Sequence, residues 1–284
     1  MIHNQYYRHH LVLLLLKRTR LSNSFKATYP TFLLLFSFFV SSLLLSPALA
    51  AQTNTCSSRS FDERALVVRV YDGDTVKLAN GDSIRLIGIN TPEMNYDTGT
   101  PEPYAKKAKR FLEKLVLKNK IGIKYGAEKT DRYKRKLAHI FLLDGTNLQY
   151  EILKSGLAFN ISIPPNLRRH NCYFNAEKTA RNNNLGIWKS PHYKPVKASK
   201  INKNQLGFKL ITGKVNSVLK TKKSIRIKFS EKMALRINKK DLHYFKNLQP
   251  EQLIGKHITA RGWVNLYKHR FSMRIRHPDA MSVN

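Results

Sequence analysis

Two glycine-containing turns divide residues 65–89 into three short apolar segments, and this pattern most limits how the chain can fold. Residues 65–71, 74–79 and 83–89 are rich in Val, Ile and Leu, and Asp72-Gly73 and Asn80-Gly81 separate them. Asn-Gly readily adopts the positive φ angles of a type I′ turn, which joins adjacent antiparallel strands. The sequence therefore predicts a small antiparallel sheet with a tight hairpin at Asn80-Gly81.

Helical periodicity follows the predicted sheet. Apolar residues recur at helical spacing from Ala105 to Val116, and Pro103 stands near the start, where its missing N–H does no harm. Further strands are predicted at 120–125 and 137–142, and further helices at 148–154 and 171–183. The pattern predicts an α+β fold built around a small twisted antiparallel barrel.

The first 50 residues have the features of a signal peptide. Five Lys and Arg precede an apolar run at 31–45, and Pro47 and Ala48-Leu49-Ala50 then supply a breaker and a small-residue cleavage site. Cleavage after Ala50 would make the product secreted or periplasmic. A second apolar patch at 11–16 leaves an uncleaved membrane anchor as the alternative, and membrane contact is expected only in that case.

The chain is strongly basic. Its 51 Lys and Arg against 18 Asp and Glu give a formal net charge of +33. Without residues 1–50, 46 Lys and Arg and all 18 acidic residues remain, so the mature part keeps +28. Such a surface attracts polyanions. Nucleic acid is the leading partner, membrane phosphates and anionic envelope polymers remain open, and no protein partner is implied.

The chain has two cysteines, Cys56 and Cys172. In an oxidising compartment they could form one disulfide, and two free thiols are the alternative. Neither lies in a metal-ligand or nucleophile pattern.

Composition divides the mature chain into two predicted domains. A short extension at 51–64 precedes the first domain at 65–190, and the Lys-, Pro-, Asn- and Ser-rich stretch at 191–207 is predicted to be a linker. Residues 208–284 alternate apolar and basic side chains, as in Ile225 to Phe229, which is typical of half-buried strands. Strands are expected at 213–218, 225–229, 234–237, 257–264 and 271–275, with a helical stretch near 239–246. These strands predict a second small, OB-like β-barrel, with nucleic-acid binding as the hypothesis for its role and a purely structural role as the alternative.

Residues 72–93 combine groups that suit attack on a phosphodiester. Asp74 and Asn90 offer oxygen ligands for a hard cation, Arg85 offers a guanidinium group, and Glu93 offers a further carboxylate. On the residues alone, plainer roles remain open: Asp74 as a turn residue and Glu93 as a loop cap. Arg135 lies in a basic loop, and for it the alternative role is to steer a substrate.

Five sequence pieces occur in order along the first domain: Asp72-Gly73-Asp74-Thr75, Arg85-Leu86, Thr91-Pro92-Glu93, Asp131-Arg132-Tyr133-Lys134-Arg135 and Gly186-Ile187-Trp188. Together they resemble the staphylococcal nuclease (thermonuclease) family over about residues 65–190. The resemblance implies a five-stranded OB-type β-barrel with three helices. It also implies calcium-dependent hydrolysis of DNA and/or RNA that leaves 3′-phosphate ends.

The resemblance implies a Ca²⁺ site formed by Asp74, Asn90 and the backbone carbonyl of Thr91. The best-known family member has Asp at the position of Asn90, so this chain has one negative charge fewer in the metal pocket. Calcium affinity depends on ligand charge. We therefore expect weaker binding, and we expect Asn90→Asp to tighten it.

The resemblance also implies roles for the catalytic residues. Arg85 and Arg135 would donate paired hydrogen bonds to the phosphoryl oxygens as negative charge develops on them. Glu93 would position or deprotonate the attacking water, and Arg132 and Tyr133 would contact the substrate.

Ser162 and Pro164 align with two base-stacking tyrosines of the family, so stacking at those positions is expected to be lost. Two other function classes stay open beside the exported nuclease. One is a non-catalytic nucleic-acid-binding protein on the same barrel, and the other is a basic envelope-binding protein.

Overall fold

A computed structural model describes residues 56–97 and 99–284, all of which belong to one compact unit of the chain. The predicted signal peptide lies outside the described residues. No helix in the described part of the chain is long and apolar enough to cross a membrane.

A closed five-stranded barrel forms the first part of the structure, with strand order β1-β2-β3-β6-β5. The expectation of an antiparallel barrel was wrong for one pair, because β3 and β6 pair in parallel to close the barrel. The other neighbours are antiparallel. The predicted five-stranded barrel with three helices is therefore confirmed. Outside the barrel, β4 and β7 pair as a separate two-stranded sheet. The elements of this part are β1 (Glu63–Val70), β2 (Thr75–Leu78), β3 (Ser83–Leu86), β4 (Ile89–Asn90), α1 (Ala105–Val116), β5 (Lys120–Thr130), β6 (Lys136–Phe141), α2 (Leu148–Lys154), β7 (Phe159–Asn160) and α3 (His170–Asn182).

The hairpin between β2 and β3 forms as predicted, but its turn differs from the prediction. Gly81 has a φ of 90°, whereas the φ of Asn80 is not positive. A type I′ turn requires positive φ at both central residues, so that prediction was wrong. The chain uses a longer loop, closed by a hydrogen bond from the Leu78 N–H to the Asp82 carbonyl, and only Gly81 needs the left-handed conformation.

Helix α1 packs directly against the turn that precedes β2. Its buried face consists of Ala105, Ala108, Leu112 and Val116. A Cβ atom on Gly73 would lie 2.6 Å from the Ala108 Cβ and 2.7 Å from the Thr91 Cγ2. A residue without a side chain is required at this position, because the turn, the helix and the loop at Thr91 all meet there.

A disulfide joins Cys56 to Cys172, with Cα atoms 5.8 Å apart. It ties the segment before β1 to helix α3 across 116 residues. The sequence left one disulfide or two free thiols open, and the structure contains the disulfide.

The second part of the structure is an eight-stranded sheet with the order β10-β11-β12-β14-β13-β9-β8, in which β15 also pairs with β13. This sheet fits the barrel-like second domain that the alternation predicts. Short 3₁₀ helices lie at Gly186–Lys189, Pro191–Tyr193, Ala198–Lys200, Lys203–Gln205, Lys239–Tyr244, Pro250–Leu253 and Pro278–Ala280. The strands are β8 (Val196–Lys197), β9 (Gly207–Lys214), β10 (Ser217–Lys220), β11 (Ser224–Lys228), β12 (Met233–Asn238), β13 (His257–Tyr267), β14 (Arg270–Arg274) and β15 (Met281–Val283).

One local prediction for this region was wrong. The strand expected at 213–218 spans the end of β9 and the start of β10, which pair with different neighbours, β13 and β11. The helical stretch expected near 239–246 is present as a 3₁₀ helix at Lys239–Tyr244. Within the stretch expected to be a linker, β8 pairs with β9, and Val196 packs against the second core.

Polar contacts join the second sheet to the first barrel. The guanidinium of Arg261 on β13 contacts both carboxylate oxygens of the buried Glu177 on α3, at 2.5 and 2.6 Å. One oxygen of Asp279 accepts a hydrogen bond from the Ser162 hydroxyl at 2.7 Å and lies 3.1 and 3.2 Å from the Nδ1 atoms of His170 and His277. Burial by itself raises the pKa of Asp279, but the contacts with His277, Ser162 and His170 outweigh it and hold that pKa well below its ordinary value.

Candidate active site

The carboxylate of Asp74 is the centre of the candidate site. Asp74 is buried in the turn directly before β2, where its backbone N–H donates to the Asp72 side chain at 2.9 Å. Its Oδ2 atom accepts a hydrogen bond from the Thr91 N–H at 2.8 Å and lies 3.0 Å from an Nη atom of Arg85. The turn before β2, the strand β3 and the loop after β4 therefore meet at one oxygen atom.

Arg85 is held in place from several sides. Its Nη1 donates to the carbonyl oxygens of Leu86 and Ile89, at 2.8 and 3.0 Å. Its Nη2 donates to the side-chain oxygen of Asn90 at 3.3 Å, and its side chain is mostly buried. The guanidinium group is thus oriented before any substrate binds.

Arg135 reaches the same centre through Thr75. Asp131 fixes the guanidinium with contacts of 2.8 Å to Nε and 2.7 Å to Nη2. The Nη1 of Arg135 donates to the Thr75 hydroxyl at 3.4 Å, and that hydroxyl donates to Oδ1 of Asp74 at 3.2 Å. The two arginines, 50 residues apart in sequence, therefore belong to one hydrogen-bond network.

Glu93 lies at the edge of this network. Two hydrogen bonds with Glu102 hold its backbone: the Glu93 N–H donates to the Glu102 carboxylate, and the Glu102 N–H donates to the Glu93 carbonyl, both at 2.9 Å. Glu93 as a whole is exposed, yet crowding of its carboxyl group by protein, followed by repulsion from Asp74, raises its pKa, while Arg85 and Arg135 act in the opposite direction. A raised pKa makes a carboxylate a better proton acceptor.

A cavity of about 510 Å³ opens beside the two arginines. Arg85, Arg135, Arg132 and Tyr133 all line it, whereas Glu93 is absent from its described lining. The Arg132 guanidinium lies 4.7 Å from the centre of the Tyr133 ring and donates to its hydroxyl at 2.6 Å. The predicted arginines and the predicted substrate-contacting residues thus face a shared space.

The residues predicted to hold a metal are brought together. Asp74, Asn90 and Thr91 are all buried. The Thr91 N–H donates to the Asp74 carboxylate, and the Arg85 guanidinium contacts both that carboxylate and the Asn90 side-chain oxygen. Their oxygen atoms, with no sulfur or nitrogen ligand among them, form a donor set that suits Ca²⁺. Asp74 already contacts Arg85, so a cation there would share or displace that contact.

Asp72 is a member of the site that the sequence reasoning did not select. Burial, followed by repulsion from Asp74, raises the pKa of Asp72 to about 7. Crowded carboxyl groups of this kind favour a bound cation, which relieves their repulsion. The Asp-Gly-Asp spacing was the available signal. Thr75 and Asp131, which connect and orient the arginines, were also given no role, because their roles depend on contacts that only the fold creates.

Comparison with known proteins agrees with this geometry. A family model described as staphylococcal nuclease homologue matches residues 83–190. A thermonuclease of Staphylococcus intermedius is 35% identical over 129 residues, which cover 44% of this chain and 76% of that protein. The chain belongs to the staphylococcal nuclease family.

Two further proteins are related to the chain at similar identity. A thermonuclease of Staphylococcus hyicus is 32% identical over 135 residues, 46% of this chain and 79% of that protein. Endonuclease YncB of Bacillus subtilis (strain 168) is 31% identical over 130 residues, 44% of this chain and 61% of that protein. The range matched by the family model includes Arg85, Glu93 and Arg135, whereas Asp74 precedes it and the second sheet follows it.

Proposed function

We propose that this nuclease hydrolyses phosphodiester bonds of DNA and/or RNA in a Ca²⁺-dependent reaction and leaves 3′-phosphate ends. One observation carries the proposal: Arg85 and Arg135 are linked through the Asp74 carboxylate and line the same cavity. A non-catalytic binding protein would not need two oriented guanidinium groups at one carboxylate centre.

The two arginines would stabilise the negative charge that develops on the phosphoryl oxygens. Because Asp131 and the backbone carbonyls already fix them, little reorganisation is needed during the reaction. Asp74, Asn90 and the Thr91 carbonyl would hold the Ca²⁺. When bound, the ion would polarise a phosphoryl oxygen and offset its charge.

Glu93 would orient the attacking water and accept its proton. Its raised pKa supports the second part of this role, because proton transfer works best when the pKa of the acceptor approaches the working pH. Arg132 and Tyr133, which line the cavity, would contact the substrate beside the reacting phosphate.

The test of this proposal is cleavage by the purified protein. Single-stranded DNA, duplex DNA and RNA are each incubated with CaCl₂ or with EGTA. We expect cleavage in calcium only, and a change in product mobility after treatment with a 3′-phosphatase. Arg85→Ala and Arg135→Ala should each lower kcat by about 10²-fold or more.

Arg110→Ala is the matched control, because Arg110 is exposed on α1 and outside the site. It should cleave as the unsubstituted protein does. Near-normal turnover by Arg85→Ala or Arg135→Ala would refute the proposed roles of these arginines, and equal cleavage in EGTA would refute the calcium requirement.

We also propose that the protein is exported after cleavage near Ala50. The basic start, the apolar run and the small residues before Ala51 support this proposal. Mass spectrometry of the protein recovered from the extracellular or periplasmic fraction should find a chain that begins at Ala51. Recovery of an intact chain in the membrane fraction would favour the anchor instead.

A further inference from the structure

The outer face of the second sheet carries exposed aromatic side chains on one strand. Successive residues of a strand point to opposite faces, and on β13 Gly262 and Val264 are buried while Trp263, Asn265 and Tyr267 point outward. Trp263 is 42% exposed and Tyr267 is 72% exposed. Large rings left in solvent on one face mark a surface that can bind a ligand with flat apolar groups.

The neighbouring strands add positive charge to this face. Tyr267 pairs in register with Arg270 on β14. Arg274 on β14 pairs with Arg236 on β12, which in turn pairs with Arg226 on β11. Three arginines therefore lie side by side across three strands.

Like charges placed directly opposite each other destabilise a sheet. Asp241 contacts Arg274 at 2.7 Å, but within the described chain no acidic group forms an ion pair with Arg226 or Arg236. Residues 208–284 contain 18 Lys and Arg and only four Asp and Glu. An anionic ligand on this face would offset the repulsion.

The face continues into the candidate active site. A groove of about 820 Å³ lies over it, bordered by Arg226, Arg236, Tyr267 and Asn265. Asn265 also lines the cavity that holds Arg85 and Arg135, and Trp263 stands beside it there. A chain-like ligand can therefore reach from the groove to the arginines along one strand.

We propose that the outer face of β11–β14 binds a single strand of nucleic acid and leads it to the candidate active site. Trp263 and Tyr267 would stack on bases, and Arg226, Arg236 and Arg270 would contact phosphates. Trp263 and Tyr267 are four residues apart on a strand, about 13 Å, so they would serve different bases. That the strand leads to the candidate active site rests on the proposed function, whereas its binding to the outer face does not.

The exposed aromatic rings favour a single strand over a duplex as the ligand of this face. Bases in a duplex stack on each other and expose their edges, whereas bases of a single strand can stack on exposed aromatic side chains. The positive face with interspersed rings offers both stacking and phosphate contacts. Double-stranded nucleic acid would use the arginines alone.

The test is equilibrium binding in EGTA, where the proposed calcium-dependent cleavage cannot occur. Fluorescence anisotropy is measured with labelled oligothymidylates of 4 to 20 nucleotides and with a 20-base-pair duplex, over a range of salt concentrations. Affinity should rise with the length of the single strand. Trp263→Ala and Tyr267→Ala should each weaken binding of the 20-nucleotide strand by about 5- to 100-fold and reduce the gain with length.

Charge variants provide a second readout. The double variant Arg226→Gln with Arg236→Gln should depend less on salt than the unsubstituted protein. The fall of log affinity with log salt should become shallower by about 1.4, since each phosphate contact on a single strand contributes about 0.7. Phe174→Ala and Lys178→Gln on α3 are the controls, because both residues are exposed and lie outside this face. Both controls should bind as the unsubstituted protein does, and thermal melting should show that every variant folds.

Binding within twofold of normal by both Tyr267→Ala and the double arginine variant would overturn the proposal. So would a duplex affinity that equals the single-strand affinity and does not respond to Tyr267→Ala. These results are separable from a failure of the proposed function. If the protein binds the strand as described but cleaves nothing in calcium, only the proposed function is refuted. If the protein cleaves but the variants of the outer face bind the strand normally, only the proposed binding face is refuted.

Discussion

The ion pair between Glu177 and Arg261 gives a sharp test of how the second sheet is attached. Glu177 is 2% exposed, and its two carboxylate oxygens lie 2.5 and 2.6 Å from one Nη atom of Arg261. Apart from Arg261, the Asn160 N–H at 3.2 Å is the other described hydrogen-bond donor to this carboxylate. Arg261→Met would remove the main partner of a buried charge.

Loss of one partner of a buried pair costs about 3–5 kcal/mol, because the remaining charge is left without compensation. We expect Arg261→Met to lower the free energy of unfolding by this amount. Replacing both residues, as in Glu177→Met with Arg261→Met, should be less harmful than Arg261→Met alone, since apolar side chains of similar size can fill a site vacated by both charges. The non-additivity should be about 2 kcal/mol.

Urea denaturation at pH 7, followed by circular dichroism and by tryptophan fluorescence, measures these differences. Lys220→Ala is the matched control, because the Lys220–Glu251 pair is formed at 2.6 Å but both side chains are more than half exposed. It should have no measurable effect. If Arg261→Met proved as stable as the control, or if the double variant lost the sum of the two single losses, the reasoning from burial would be refuted.

Three further predictions concern the metal, the disulfide and acid stability. Asn90→Asp should tighten Ca²⁺ binding several-fold, since it adds a negative charge to the donor set; equal or weaker affinity by calorimetry would contradict this. Cys56→Ser with Cys172→Ser should lower the free energy of unfolding by about 2–5 kcal/mol, and dithiothreitol should destabilise the unsubstituted protein but not the variant. Because the pKa of Asp279 is depressed, its ionised form contributes stability above its ordinary unfolded pKa of about 3.9, and that contribution is lost as the pH falls. Asp279→Asn should therefore be less stable at pH 7 and lose less stability below pH 4; an unchanged acid profile by thermal melting would argue against the role of this carboxylate.

Much of the first barrel was predictable because its signals are local. Helix α2 begins at Leu148 and ends at Lys154, as the sequence predicts, and β1, β3 and β6 each lie within a few residues of their expected positions. Errors occurred where a local signal is compatible with more than one geometry. Asn80-Gly81 predicted a two-residue turn. The pairing of β2 with β3 instead leaves a longer loop, in which only Gly81 has a left-handed backbone conformation.

The candidate site was predictable as a set of residues but not as a network. The order of the motifs selected Asp74, Arg85, Glu93 and Arg135, and three of these meet at or near one carboxylate. The spacing of residues could not show that Asp72 acquires a raised pKa, because that shift comes from burial and from repulsion by Asp74 in the folded chain.

The amino-acid sequence by itself determined the charge, the alternation of the strands and the identity of the reactive groups, since these follow from composition and from spacings of a few residues. Tertiary structure decided that Cys56 meets Cys172, that Thr75 connects the two arginines, and that Trp263 and Asn265 stand beside them. Those contacts join residues from 60 to more than 170 positions apart. Their formation depends on how the barrel closes and how the second sheet packs against it, and no local periodicity records that packing.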